Sequence, residues 1–240
     1  MDPEIERVTR SKEQARTSYN RLSRFYDLLS AVSERKYIEA GLEMLRAKEG
    51  ERVLEVGFGT GRALLALAEA VGSSGEVYGI DISEGMSGIA QRKLREKGLA
   101  ERVELYIGDA ARLPYQDGFF DCVFTSFTID LIDTPEIPAV LAECTRVLKD
   151  GGRICVVSMS NRGPVGISMK AYLWAHRKLP ALVDCRPIPV RGSLEESGFD
   201  IIDKKLMSMW GLPVEIINGV KPGLKRIFSP ASQAGTGERG

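Results

Sequence analysis

Apolar and polar positions alternate in two different rhythms between residues 51 and 159. Stretches with apolar residues at helical spacing separate short runs that are rich in β-branched and aromatic residues. Because strands that alternate with helices form parallel sheets, this order predicts a sheet with helices on both faces. The predicted strands are 52–56, 76–81, 102–109, 120–128 and 153–159, and the predicted helices are 64–71, 83–98, 137–152 and 193–198.

The two ends of the chain depart from this alternation. Residues 13–48 look helical, with a break near Ser30–Ser33. The runs 199–208 and 213–220 read as two more strands, and only Trp210–Gly211 separates them. Such a close pair is typical of an antiparallel hairpin at a sheet edge. We therefore predict a doubly wound α/β fold with a mostly parallel seven-stranded sheet and a C-terminal antiparallel hairpin.

A glycine-rich loop ends the first predicted strand and opens the helix after it. The sequence there reads EVGFGTG, from Glu55 to Gly61. Glycines let a ligand approach the backbone closely, and the free N–H groups of the following helix suit an anion. The spacing G-x-G-x-G differs from the dinucleotide pattern G-x-G-x-x-G. Glu55 would repel a pyrophosphate but suits the ammonium or sulfonium of S-adenosylmethionine (SAM).

Two more carboxylates end the next two predicted strands. Asp81 can accept both hydroxyls of a ribose, and it would serve NAD as well as SAM. Asp109 can take an adenine amino group, with Ala110 leaving the ring edge accessible. Each aspartate alone is equally typical of a turn. Because acids and glycines fall together at three successive strand ends, the joint pattern favours a nucleoside ligand at one edge of the sheet.

Composition narrows the class of protein. The 240 residues suffice for one sizeable core, and the formal net charge is zero, so we expect no binding to nucleic acid. Residues 161–240 nevertheless carry 12 Lys and Arg against 7 Asp and Glu. The four cysteines show no C-x-x-C spacing and His176 is the single histidine, so we expect no metal site. Without an apolar leader or a long apolar run, we expect a cytoplasmic protein.

Four motifs fall at the ends of predicted elements: EVGFGTG (55–61), GIDISEGM (79–86), GDAARLP (108–114) and VLKDGG (147–152). Together they resemble the class I SAM-dependent methyltransferases. Through SYNRLSRFYD and GDAARLPYQDGFFDCVFTSF, the chain is more closely similar to the ubiquinone/menaquinone biosynthesis methyltransferase family. This resemblance covers roughly residues 17–160. It implies a Rossmann-like fold, SAM as cofactor, S-adenosylhomocysteine as product, and methyl transfer by in-line displacement.

The resemblance also implies which positions hold the cofactor. The glycines and Thr60 would hold the methionine end, with Ser126 beneath it. Asp81 would take the ribose, and Asp109 would contact the base. The implied cofactor-binding residues are Tyr19, Tyr26, Glu55, Gly57, Phe58, Gly59, Thr60, Gly61, Asp81, Ile82, Met86, Asp109, Ala110 and Ser126.

Four of these positions have a second interpretation. Ile82 and Met86 would pack on the adenine, but the same residues suit the core around their helix. Tyr19 and Tyr26 would close over the cofactor, but aromatic residues in the N-terminal helices also suit plain packing.

The loop after the fourth predicted strand departs from the quinone family. That family continues with a Gly-Leu-Arg-Asn-like run, whereas this chain reads SFTIDL (126–131) and then has Asp133. In the family this loop faces the methyl acceptor. The departure therefore weakens the case for a quinone ring as the substrate. A general base is needed only for an acceptor proton of high pKa. The candidate catalytic residues are Asp130, Tyr26 and His176, with Tyr19 as a further candidate base.

Residues 161–192 are predicted to form a lid over the acceptor. They mix Tyr172 and Trp174 with several cations, and such a segment can lie at a membrane interface. A soluble lid over an apolar pocket explains the same composition. We divide the chain into an N-terminal helical cap over the cofactor (1–48), a SAM-binding domain that contains the lid (49–222), and a disordered tail (223–240).

These patterns predict a methyltransferase for a small or lipid-like acceptor, which includes quinones. Peripheral membrane contact through residues 161–192 stays open. Two other classes also stay open: a non-catalytic SAM-binding protein, and an NAD-dependent oxidoreductase, which the glycine spacing and Glu55 disfavour.

Overall fold

A computed structural model describes residues 13, 14, 16, 17, 20, 34–162, 172 and 185–223. Seven strands and five helices follow one another in this part of the chain. The strands are β1 (Arg52–Val56), β2 (Glu76–Asp81), β3 (Val103–Ile107), β4 (Phe120–Ser126), β5 (Leu148–Met159), β6 (Asp200–Met209) and β7 (Leu212–Val220). The helices are α1 (Arg35–Leu45), α2 (Arg62–Ala70), α3 (Glu84–Glu96), α4 (Ile137–Val147) and α5 (Val190–Glu196).

The strands form one sheet in the order β3-β2-β1-β4-β5-β7-β6. The first five in the chain are parallel, and β7 runs antiparallel to both β5 and β6. The carboxyl ends of β1 to β5 therefore lie along one edge of the sheet. The strand order reverses between β1 and β4, and ligands of doubly wound folds bind at such a switch point. The predicted fold class is confirmed.

Each face of the sheet carries its own hydrophobic core. Helices α1, α2 and α3 cover one face, and α4 and α5 cover the other. Helix α4 shows why the sequence folds in this way. Its buried residues recur every three or four positions, so one apolar stripe faces the sheet while the polar side chains face water. These buried residues are Ile137, Val140, Leu141, Cys144 and Val147.

Most predicted elements are observed, with shifts at their ends. β1 and β2 have the predicted bounds, and Ser83 caps α3, since its Oγ accepts a hydrogen bond from the N–H of Met86. The helix predicted over 137–152 was too long. It ends at Val147, because Leu148 already pairs with Phe120 of β4.

Other boundaries shift in the same way. The fourth strand ends at Ser126 and not at residue 128, because Phe127 leaves the extended conformation with φ 48°. The short helix predicted over 193–198 spans Val190–Glu196. The third strand spans Val103–Ile107 where 102–109 was predicted.

Several predictions fall outside the described residues. They are the break near Ser30–Ser33, most of the lid, the tail beyond residue 223, and the candidate residues Tyr19, Tyr26 and His176. Within the described residues, no helix has the length and apolar character needed to cross a membrane. The same part of the chain contains no group of three or more His, Cys, Asp or Glu that could hold a metal ion.

Candidate active site

The glycine loop after β1 adopts a conformation that other residues rarely take. Gly57, Gly59 and Gly61 all have positive φ, at 73°, 50° and 81°. A Cβ on Gly57 would lie 2.1 Å from Oγ1 of Thr128, and one on Gly61 would lie 2.8 Å from Cβ of Ala90. A Cβ on Gly59 would meet nothing within 4 Å. Two glycines are therefore required by packing, and the middle one borders open space.

Asp81 fixes this loop from the end of β2. One of its carboxylate oxygens accepts a hydrogen bond from the N–H of Gly59 at 2.9 Å. The other accepts from the N–H of Ser83 at 2.9 Å, as in an ordinary turn. The N–H of Ile82 also acts on this carboxylate. Because a carboxylate offers about four acceptor positions, Asp81 keeps acceptor capacity beyond these backbone N–H groups. The turn and the ligand-binding interpretations of this residue are thus compatible.

Glu55 is the unusual residue of the site. It is 2% exposed, and its Oε2 makes no hydrogen bond to any described residue. Burial raises the pKa of this carboxyl well above its ordinary value of 4.5, and the nearby charge of Asp81 raises it further. An N–H of Leu64 opposes both effects. Burial of the ionised carboxyl without a cation is costly, so Glu55 would ionise only beside a positively charged group.

The remaining cofactor candidates of β2 and β3 lie around Asp81. Backbone N–H of Gly108 donates to the carbonyl of Asp81 at 2.9 Å, which holds the two strand ends together. Oδ1 of Asp109 accepts from the N–H of Ala111 at 3.0 Å, and Asp109 is half-buried. Ile82 and Ala110 are also half-buried, whereas Met86 and Phe58 are buried. The Phe58 side chain belongs to the core.

Asn20 approaches this site from the N-terminal segment, and sequence reasoning missed it. Its Oδ1 accepts from Oγ of Ser83 at 2.7 Å and from the N–H of Gly85 at 3.0 Å. Its Nδ2 donates to Oε2 of Glu84 at 3.0 Å. Asn20 is therefore attached to the start of α3, beside Asp81. A lone asparagine next to Tyr19 gives no signal of this role in one sequence.

The end of β4 supplies two further residues that sequence reasoning missed. Phe127 is buried with φ 48°, a strained conformation for an aromatic residue, and its N–H donates to the carbonyl of Val157. Oγ1 of Thr128 lies 3.0 Å from the carbonyl of Ser126 and 3.3 Å from that of Gly57. Thr128 thus fills the space that a side chain at Gly57 would need. Ser126 itself is half-buried.

A second group of buried polar residues surrounds the carboxyl end of β5. Asp130 is fully buried, and its Oδ2 accepts from the N–H of Met159 at 3.2 Å. The carboxylate predicted to face the acceptor therefore lies beneath the surface, bonded to the backbone. Ser160 donates to Oε2 of Glu215 at 2.9 Å, and Ser158 pairs with Glu215 across the strands. We call these residues, with Arg186, the β5-end cluster: Asp130, Ser158, Ser160, Arg186 and Glu215.

Arg186 is the member of this cluster with the largest side chain. It is 1% exposed, although it precedes α5 and is far from β4 in sequence. Its guanidinium donates to Oγ1 of Thr134 at 2.7 Å and to the carbonyl of Ile132. An arginine from a distant segment thus lies against the loop that follows β4. Nothing in the spacing of the sequence indicates this contact.

Comparison with known proteins identifies the family. A family described as "Methyltransferase domain" matches residues 53–152, which include the glycine loop, Asp81 and Asp109. The demethylmenaquinone methyltransferase of Bacillus velezensis is 33% identical over 175 residues, which are 71% of this chain and 74% of that protein.

Solved structures agree on the fold. The cyclase SpnF has a TM-score of 0.74 at 20% identity, covering 91% of this chain and 98% of that chain. A SAM-dependent methyltransferase from Aquifex aeolicus has a TM-score of 0.55 at 24% identity, covering 77% and 89%. The chain belongs to the SAM-dependent methyltransferase family. The predicted enzyme class and cofactor are confirmed.

The described residues fit this cofactor. Gly59 leaves open space beside the loop, and Asp81 keeps acceptor capacity for ribose hydroxyls. The unbonded Oε2 of Glu55 suits a cationic group such as an ammonium.

Proposed function

We propose that this enzyme transfers the methyl group of SAM to a small or lipid-like acceptor of the quinone type. The observation that carries the proposal is the 33% identity to a demethylmenaquinone methyltransferase over 71% of the chain. The name of that relative specifies a quinone acceptor. The similarity spans far more of the chain than the residues that form the glycine loop.

The proposal assigns a part of the cofactor to each strand end. Glu55 would meet the ammonium of the methionine end, and the loop around Gly59 would lie against the same end. Asp81 would bind the ribose hydroxyls, and Asp109 would bind the adenine. Support comes from the burial of Glu55 and from the two N–H groups that hold Asp81 in place.

A buried arginine contacts the loop after β4, which would face the acceptor. The resemblance to quinone methyltransferases is weakest after β4, where their arginine is missing from this sequence. Arg186 contacts this loop from another segment, through Ile132 and Thr134. At 1% exposure its guanidinium faces these residues and not an open pocket. Arg186 would therefore affect a quinol acceptor by holding this loop in place.

Bound SAM supplies a methyl group that its sulfonium already activates, so no covalent enzyme intermediate is needed. The residues of the chain would orient the acceptor atom in line with the methyl group and exclude water. Such positioning is worth effective molarities of up to about 10⁵–10⁸ M in well-oriented reactions. As the acceptor–methyl bond forms, the methyl–sulfur bond breaks and S-adenosylhomocysteine leaves. The proton that the acceptor loses goes to a base, for which Tyr26, His176 and Tyr19 are candidates. The predicted candidate Asp130 is fully buried and cannot meet the acceptor directly.

A transfer assay tests this proposal. The full chain is incubated with SAM carrying an isotopically labelled methyl group and with a demethylated naphthoquinol that bears a short prenyl tail. We expect labelled methyl in the quinol fraction, and its loss in Asp81→Ala. If the wild-type protein binds SAM but transfers no methyl to naphthoquinols or benzoquinols, the acceptor assignment is wrong while the enzyme class stands.

A further inference from the structure

The exposed large hydrophobic residues of the described chain are concentrated on its two outer strands. Tyr106 and Ile107 lie on β3 at one edge of the sheet. Ile202, Leu206 and Trp210 lie on β6 and its turn at the other edge. Trp210 is 78% exposed, more than any other residue of this set. Single exposed hydrophobic residues are ordinary, so the position and backbone of Trp210 decide whether it has a role.

The backbone at Trp210 makes its position still less ordinary. Met209 pairs with Leu212, so Trp210 and Gly211 form a two-residue hairpin turn with φ 52° and 82°. Such turns favour asparagine, aspartate or glycine, because both residues have positive φ. A bulky aromatic residue is disfavoured there, and its exposed ring gains little packing within the chain. Residues that break a local rule without a structural gain are often functional.

The hairpin turn lies at the same edge of the sheet as the active site. Met159, at the carboxyl end of β5, pairs with Val214 near the start of β7. The turn before β7 therefore extends beyond the strand end that carries the β5-end cluster. Leu212 and Met159 pack together with Tyr172 and Cys185, which belong to the segment predicted as a lid. Trp210 thus stands next to the elements that border the acceptor side.

Strand β6 is poorly suited to pairing with a second copy of the chain. Its register shifts between Ile201 and Asp203, and Lys204 and Lys205 follow on the open edge. Bulges and lysines are the features by which natural proteins prevent pairing at edge strands. Lys204 and Lys205 can contact anionic lipid, although Asp200 and Asp203 lie on the same strand. Tryptophan itself favours the interface of a bilayer. The net positive charge of residues 161–240 has the same sign.

We propose that the tip of the β6–β7 hairpin inserts into the interface of an anionic lipid bilayer, with Trp210 as its anchor. The biological reason rests on the proposed function, because a lipid-like acceptor is dissolved in the bilayer. Anchoring at this edge would hold the acceptor side of the enzyme against the surface from which such a substrate is taken. The vesicle binding itself requires neither SAM nor an acceptor.

Three exposed positions on the hairpin form a matched series for the test. Ile202 and Leu206 are both 58% exposed, but Ile202 lies four residues farther from the turn. We would measure sedimentation of the full chain with phosphatidylcholine vesicles that contain phosphatidylglycerol. Trp210→Asn should weaken binding by roughly tenfold, Leu206→Thr by less, and Ile202→Thr hardly at all. Because asparagine suits the turn, Trp210→Asn should keep the thermal stability of the wild-type protein.

Three results would overturn the proposal. They are no sedimentation of the wild-type chain with anionic vesicles, equal losses for Trp210→Asn and Ile202→Thr, and a dimer in light scattering that disappears in Trp210→Asn. The last result would assign the hairpin to a second copy of the chain.

An activity comparison separates this proposal from the proposed function. Trp210→Asn should leave transfer to a short-tailed quinol in solution unchanged and reduce transfer to a long-tailed quinol in vesicles. If no quinol is methylated, the vesicle series still decides whether the hairpin is an anchor.

Discussion

The two halves of the active edge are built in different ways. The cofactor half uses strand ends and turns between residues 55 and 110, and backbone N–H groups hold its carboxylates in place. The β5-end cluster joins residues from 130 to 215 through side chains that meet only in the folded chain. Short motifs at successive strand ends leave a signature in the sequence, so the cofactor half can be recognised there. The β5-end cluster is assembled from distant segments and leaves no such signature.

The halves also differ in how their charges are balanced. Burial raises the pKa of Glu55 and of Asp81, and only backbone N–H groups, not basic side chains, oppose the rise. This pair is therefore suited to a cationic ligand. In the β5-end cluster, Glu215 has Ser160 at 2.9 Å and the Arg162 guanidinium at 3.8 Å. Glu55 and Asp81 therefore have no basic partner among the described residues, whereas Glu215 has partners within the chain.

The largest expected effect separates two glycines of the cofactor loop. Gly57→Ala places a Cβ against Thr128 at positive φ, so we expect a loss of about 2–4 kcal/mol of unfolding free energy. Gly59→Ala meets open space and should cost only about 1 kcal/mol, although it should abolish SAM binding. Thermal unfolding with and without SAM measures both effects.

The contrast would fail if Gly59→Ala bound SAM as tightly as the wild-type protein. In that case the open space at Gly59 does not receive the cofactor. Equal stability of Gly57→Ala and the wild-type protein would contradict the packing of Thr128.

Most of the fold and the geometry of the candidate cofactor half could be predicted from the sequence, because both depend on local patterns. The glycines, Asp81 and the Ser83 cap occupy fixed offsets from strand ends, which periodicity locates. Thr128 could not be found, because its role depends on contact with Gly57 across the sheet. Arg186 was missed for the same reason, since its partners lie more than 50 residues earlier.

A smaller effect concerns the protonation of Glu55. Its pKa is raised in the folded protein without ligand, so its contribution to stability is complete below about pH 4.5 and is lost as the pH rises through the folded-state pKa. A bound ammonium favours the ionised form, so SAM binding should release a proton. Over this range SAM affinity should rise with pH, by at most about tenfold per pH unit.

Calorimetry in buffers of different ionisation enthalpy counts the released protons. The matched variant Glu55→Gln keeps the size of the side chain and should bind SAM more weakly, with no proton release. Unchanged proton release in Glu55→Gln would assign the released proton to another group, such as Asp81, whose charge acts on Glu55.

The smallest expected effect on cofactor affinity comes from the β5-end cluster. Glu215→Gln keeps a hydrogen-bond partner for Ser160 and should change SAM affinity by less than about twofold, since sites without shared partners act independently. Turnover with the acceptor should fall, because the charge beside Ser160 and Arg162 is lost. Parallel titration and steady-state kinetics would show whether the two halves act independently. A large loss of SAM affinity in Glu215→Gln would show that they are coupled.

The most direct test of the central claim is a calorimetric titration of SAM into the wild-type protein, Asp81→Ala and Arg186→Met, with NAD as a second ligand. The account predicts micromolar SAM binding that Asp81→Ala weakens by about 10–100-fold, because hydrogen bonds to a charged group are lost. Arg186→Met should retain SAM binding, and NAD should not bind. Binding of NAD, or SAM affinity unaffected by Asp81→Ala, would contradict the assignment of the cofactor to this edge of the sheet.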